Sequence, residues 1–346
     1  MSDRGPAALT FRLDGSYADI NRHYQERGWT DGLPIVPPTE DEVREFLRET
    51  DRDPRDVVAV LPPRQGEATV ERIAINAVMA GCRPDAMPVI IAAIEAMADP
   101  AFNLDSVQAT THPVAPLVIV NGPIARQVGI NAGYNAFGQG FRANVTIGRA
   151  VRLILMNVGG GLPGTGDRST QGSPAKIAYC VAENEEANPW EPLQVEAGYP
   201  PDVSMVTVIG CEGPHNIQDH YSNTALGVLR IIAGAMGQAG SNNILGGGSP
   251  LLALGPEHAA TIAKEGYTKR QVKEYLFEHA RFPLKQLGAE YRRFQTAERG
   301  QPEDALLPIA DSADAITVIV VGGAGKHSCW QPTFGRQTRP VRRVVN

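Results

Sequence analysis

Three apolar stretches decide the fold: Val206-Thr207-Val208-Ile209-Gly210, Leu251-Leu252-Ala253-Leu254-Gly255, and residues 316–321, which run into Gly322-Gly323. Short apolar runs bounded by turn residues are the pattern of buried strands. Residues 224–236 between the first two have helical spacing. Pro256 then opens a helix that Gly266 closes, and Thr268-x-x-Gln271 is a capping box leading a helix to about Arg281. Strands alternating with helices point to a parallel sheet. The fold expected is α/β (or α+β), a helix-rich N-terminal half followed by a C-terminal half with a mainly parallel sheet.

Outward from there, Leu117-Val118-Ile119-Val120 is a further buried strand, stopped by Asn121-Gly122-Pro123. Residues 69–98 read as two helices, the first with Val70, Ile73, Ala74, Ala77 and Val78 at helical spacing, the second capped by Asp85 with Pro88 in its first turn. A helix from about Asn144 places Ile147, Val151, Ile154, Leu155 and Val158 on one face and stops at Gly159. Residues 176–181 read as a strand. Near the N-terminus, residues 17–27 suit a short helix, and the prolines of Trp29–Thr39 require an extended loop before a helix capped by Thr39. The expected organisation is an N-terminal arm and Pro-rich linker (1–60), a helix-rich α/β half (61–199), a βαβ-type half (200–335) and a tail (336–346). No repeat of fixed period is visible, only a recurrence of apolar strands ending in glycine and proline.

Composition narrows the function classes. The chain has 346 residues, 42% hydrophobic, with a net charge of −6. That is enough apolar content for a core, and there is no basic stripe of the kind a nucleic-acid-binding surface shows. No run of 18 apolar residues exists, and residues 1–5 lack the apolar region of a signal peptide, so a cytoplasmic protein is expected. The four cysteines, Cys82, Cys180, Cys211 and Cys329, are far apart and read as free thiols.

Ligands of open α/β sheets sit beyond the carboxyl ends of strands, which directs attention to two segments. Cys211-Glu212-Gly213-Pro214-His215-Asn216-Ile217-Gln218-Asp219-His220 reads as a loop past a strand, in which Cys211, His215 and His220 could hold a divalent transition metal. A polar loop capping the next helix is the plainer alternative. In Gly322-Gly323-Ala324-Gly325-Lys326-His327-Ser328-Cys329-Trp330, backbone N–H groups could cradle an anion, and Lys326 and His327 could lower the pKa of Cys329. Cys329 is then the expected nucleophile, with His327 as base and Lys326 as electrostatic partner, His215 and His220 completing the site. A glycine turn with an inert thiol is the alternative. Gly325-Lys326-His327 is no Walker A loop, and Gly159-x-Gly161-x-x-Gly164 follows a helix, unlike a dinucleotide fingerprint.

A third group lies in the first half. Thr111, His112, Asn121, Arg142 and Asn144 are the expected substrate-binding residues, because amides and arginine suit a carboxylate or amide ligand. Asparagine and threonine serve equally in turns and caps.

Gly28-Trp29-Thr30-Asp31-Gly32-Leu33-Pro34, Met79-Ala80-Gly81-Cys82-Arg83-Pro84, residues 144–149 and residues 183–190 resemble a bacterial family associated with UGSC-motif (seleno)proteins, as partner or fused neighbour. The likeness spans residues 28–335 and implies thiol or selenol redox chemistry, with a thiol or selenol protein as partner. The chain departs from that pattern: it has no Cys-Gly-Ser-Cys, and its nearest text is His327-Ser328-Cys329. Together these readings give an enzyme acting on a small polar or anionic molecule at a strand-end cleft, as a thiol-dependent lyase, transferase or reductase component. A metal-dependent hydrolase or lyase and a non-catalytic subunit of a redox complex are the alternatives. A homo-oligomer is compatible with all three.

Overall fold

The computed structural model describes residues 10–345, so residues 1–5, read above for a leader, lie outside the described residues. Eight strands form two four-stranded sheets: β1 (Ala115–Asn121), β2 (Cys180–Ala182), β3 (Met205–Cys211), β4 (His215–Gln218), β5 (Leu251–Leu254), β6 (Thr317–Val320), β7 (His327–Gln331) and β8 (Val341–Val344). Sheet 1 has the order β8-β3-β1-β2 and sheet 2 the order β4-β7-β5-β6. Six main helices cover them: α1 (Val70–Ala80), α2 (Met87–Ala98), α3 (Arg142–Asn157), α4 (Ala225–Met236), α5 (Pro256–Lys264) and α6 (Lys269–His279).

Alternation along the strands builds the layers. Val118 and Val120 of β1, with Val206 and Val208 of β3, join the core beneath α1, α2 and α3. Leu117, Ile119 and Ile209 point the other way and meet Leu251, Ala253 and Ile319 of sheet 2. Leu252, Leu254, Val318, Val320 and Trp330 form the outer core with α4, α5 and α6. The result is a helix–sheet–sheet–helix sandwich. Both sheets are mixed, which corrects the expected mainly parallel sheet: only β1–β2 and β5–β6 are parallel pairs. In sheet 2, β6 and β7 run in opposite directions because the six residues 321–326 between them are too few for the crossover that parallel strands need.

Strand order, direction and register repeat between the two sheets. β1, β2 and β3 are arranged as β5, β6 and β7, and each set is followed by a strand that joins the other sheet, β4 in sheet 2 and β8 in sheet 1. Leu117 faces Ile209 as Leu251 faces Gln331, which makes Cys211 the counterpart of Thr333. Those two residues bridge one another, Glu212 N–H donates to Pro332 O (2.7 Å), and Phe334 N–H donates to Gly210 O (3.2 Å), a reciprocal pattern expected about a local two-fold axis. The helices follow suit. α2 and α4, 12 residues each, precede five-residue helices at Leu104–Gln108 and Asn242–Gly246, then β1 and β5, then helices opened by Pro123 and Pro256. The matching text, Pro116-Leu117-Val118-Ile119-Val120-Asn121-Gly122-Pro123 and Pro250-Leu251-Leu252-Ala253-Leu254-Gly255-Pro256, is too short to show as a periodic repeat. The exchange also means that β3 and β8 lie in the first sheet, so the boundaries expected at 199/200 and 335/336 do not follow the sheets.

Local signals mostly hold. Thr268 and Gln271 form a capping box on α6, and Thr69 and Thr224 cap α1 and α4. Asp85 does not cap α2; it pairs with Arg83 at 2.6 Å. Among the described residues no helix is long and apolar enough to cross a membrane.

Candidate functional site

The segments 211–220 and 325–330 do meet, as neighbouring strands. β4 and β7 pair antiparallel, with His327 opposite Gln218, Cys329 opposite Asn216 and Trp330 opposite His215. Directly paired residues share a face. Ile217 and Trp330 sit in the outer core, so His215 lies on that side, its ring 6.5 Å from Trp330. Cys329 packs against the core between the sheets, which puts Asn216, Gln218, His327 and Cys329 together on the inner face. On that face Asn216, Gln218 and His327 are exposed, because sheet 1 does not cover the β4 edge of sheet 2.

Two imidazoles meet there. His327 Nε2 lies 3.1 Å from His220 Nε2, the rings at 86°. His327 Nδ1 is 3.0 Å from Asn216 Oδ1. The amide oxygen can only accept, so Nδ1 carries a hydrogen and the Nε2 lone pair faces His220. His220 Nε2–H then donates across the pair. Behind the strands, buried His258 bonds to Ser328 Oγ through Nδ1 (2.8 Å) and to Asp219 O through Nε2 (3.2 Å), while Gly255 N–H donates to Ser328 Oγ (3.0 Å). Asp219 and Ser328 are the chain neighbours of His220 and His327, so this network fixes both ends of the pair. Burial pushes the His258 pKa down, and the nearby His327 and Lys326 add to it against the opposing pull of Asp219.

Several expected roles need correction. Burial pushes the Cys329 thiol up to about 12 rather than down, and its hydrogen-bond partner is Gln331 Nε2 at 3.4 Å. Neither expected helper reaches it. His327 is engaged with His220 and Asn216, and Lys326 Nζ bonds Asn223 Oδ1 (2.9 Å) and the carbonyls of Ser222 and His220. The glycine run is no open anion cradle, since Gly322 N–H donates to Ala132 O and Gly325 N–H to Glu257 Oε1 (2.7 Å). The metal set of Cys211, His215 and His220 does not assemble: Cys211 is buried between the sheets, and His215 faces away from that core. No group of three or more His, Cys, Asp and Glu side chains suited to a metal ion occurs among the described residues.

The substrate-binding set is also dispersed. Buried Asn144 spends its amide on Asn131 N–H, Asn131 O and Ala136 O, pinning the 131–136 loop. Asn121 is buried against Glu183 and Glu185. Arg142 holds the carbonyls of Gly81 and Cys82 and lines a cavity of ≈ 360 Å³ with Arg83, Gly140 and Phe141, apart from the histidine pair. His112 Nε2 is 3.0 Å from Glu212 Oε1 and its ring stacks on Phe334, so it ties together the counterpart residues where the halves cross. Thr111 is joined to Thr170, closing the 164–172 loop onto the 110–112 segment. The four thiols are free, and burial pushes Cys180 and Cys211 up as well.

Asn216 and Gln218 were not singled out from sequence. The signal was the alternation His215-Asn216-Ile217-Gln218, in which one apolar residue marks a strand with a polar face. Comparison with known proteins brings no assignment: no protein-family model, no curated protein and no solved structure matches the chain.

Proposed function

We propose that the protein is an enzyme acting on a small polar or anionic molecule, with the His220–His327 pair as its reactive centre. The observation that carries this is the 3.1 Å approach of two exposed imidazole nitrogens, one of them oriented by Asn216. A hydrogen-bonded imidazole pair offers one ring as base and the other as acid at neighbouring points, which is the equipment of general acid–base catalysis. Asn216 and Gln218 beside it are exposed amides able to bond a carboxylate or carbonyl. Thiol chemistry fits less well, because a thiol held near 12 by burial is protonated at neutral pH.

The test is a screen of small hydroxy-, keto- and amino acids and their amides, followed by proton NMR for binding and for exchange of substrate protons with deuterated solvent. Exchange or turnover lost in both His327→Gln and His220→Gln supports the reading. A substrate turned over unchanged by both variants refutes it.

A further inference from the structure

The geometry points to one divalent transition-metal ion bound between His220 Nε2 and His327 Nε2, in a two-imidazole site whose remaining positions are open to water or substrate. This rests on the reading that the pair is the reactive centre but replaces the rings' own acid–base role, since a nitrogen that ligates an ion has neither lone pair nor proton to exchange; water on the ion's open positions would then supply the acid and base. Zinc, copper(II) and nickel(II) suit imidazole ligands. With metal–nitrogen bonds of ~2.05 Å, the 3.1 Å separation of the two nitrogens subtends about 98° at a shared ion. That lies between square-planar and tetrahedral angles, so the nitrogens can keep their separation while each ring turns to aim its lone pair off the line that joins them and onto the ion.

Three further features suit a metal. The Asn216 oxygen on His327 Nδ1 is the orienting contact that metal-bound histidines ordinarily have, and it fixes the lone pair on Nε2. The backbone on both sides is stiff: His327 lies in the β4–β7 ladder, and the buried His258 network holds Ser328 and the Asp219 carbonyl. Both rings are exposed, so water and a ligand have access. In a neutral pair the hydrogen on His220 Nε2 moves to its Nδ1 when the ion binds, with no net proton release. A protonated pair gives up one proton per ion, so binding weakens as pH falls.

The experiment uses the full chain, stripped with chelator and titrated with copper(II) or nickel(II). Calorimetry gives the stoichiometry, and electron paramagnetic resonance of the copper form gives the number of nitrogen ligands. The expected result is one ion per chain with two imidazole nitrogens, lost in His220→Gln and in His327→Gln. It is kept in His215→Gln, whose histidine lies on the opposite face. Asn216→Ala weakens binding by ~10–100-fold, as loss of an orienting contact does. No saturable site at one ion per chain overturns the proposal, as does a site that survives in both histidine variants. Circular dichroism of each variant guards against misfolding, and Asn216→Ser provides a milder perturbation of the same contact. Because metal uptake is read without turnover, a metal-binding pair with no catalysis refutes only the enzyme reading. Proton exchange that requires the pair but no metal refutes only this one.

Discussion

If Cys329 is not a thiolate, alkylation reads it directly. Burial holds its thiol at about 12, against an ordinary 9.0, a difference of three pH units. At pH 8 about one molecule in ten thousand then carries the thiolate, against about one in ten for an ordinary thiol. A more basic thiolate is also more nucleophilic, and a Brønsted slope of about 0.45 returns about twentyfold of that thousandfold deficit. The net expectation is labelling by iodoacetamide about 50-fold slower than for the same residue in the urea-unfolded chain, with partial burial slowing it further. Quenched time points, digestion and mass spectrometry give the rate at Cys329 separately from Cys82, Cys180 and Cys211, which are buried. Rapid stoichiometric labelling of native Cys329 at pH 7 refutes the reasoning and restores the nucleophile.

Other perturbations have equally definite outcomes. Arg149 makes two bonds to the Asp31 carboxylate (2.7 and 2.8 Å) and one to Pro34 O, and Asp31's side chain is only 4% exposed. Arg149→Met strands that carboxylate and should cost ~3–5 kcal/mol in urea unfolding; a loss no larger than that of a surface substitution contradicts the ion pair. A Cβ on Gly255 would overlap His327 O, so Gly255→Ala should lose ~1–3 kcal/mol and shift the histidine NMR signals of the pair; unshifted signals contradict the packing. Buried His258 has its pKa held below the usual 6.5. The unfolded chain therefore takes the proton first, and stability is full above about 6.5 and falls as pH drops through it toward the lower folded value. Stability measured from pH 7.5 to 5 should decline less in His258→Gln than in the parent chain, and equal slopes count against this.

The parts of the fold that were legible rest on short-range physics. Threonine caps, glycine stops and apolar periodicity placed α1, α3, α4, α5 and α6 because those signals act within a turn or two of chain. β1, β3, β5 and β6 were legible because they are buried on both faces and so apolar throughout. β4 and β7 were not. They carry histidines, amides, serine and cysteine where sheet 1 leaves sheet 2 uncovered, and that mixture reads as a loop. Their pairing and the exchange of β4 and β8 are set by contacts across more than 100 residues, and the mixed direction of the sheets by contacts across 76 to 96, which no local pattern encodes. The same limit governs the site. His220 and His327 were both picked out, but their partnership required the ladder. In the sequence Asn144 and Asn121 read as ligand groups, but their amides satisfy buried backbone and carboxylate groups instead.

The most direct test of the histidine pair as the reactive centre is long-range proton–nitrogen NMR of the histidine rings in the native chain. His327 should show the tautomer protonated at Nδ1. Its Nε2 resonance should move when His220 is replaced by glutamine, while the ring of His215 stays put. A His327 ring protonated at Nε2, or one unmoved by that replacement, would contradict the pair.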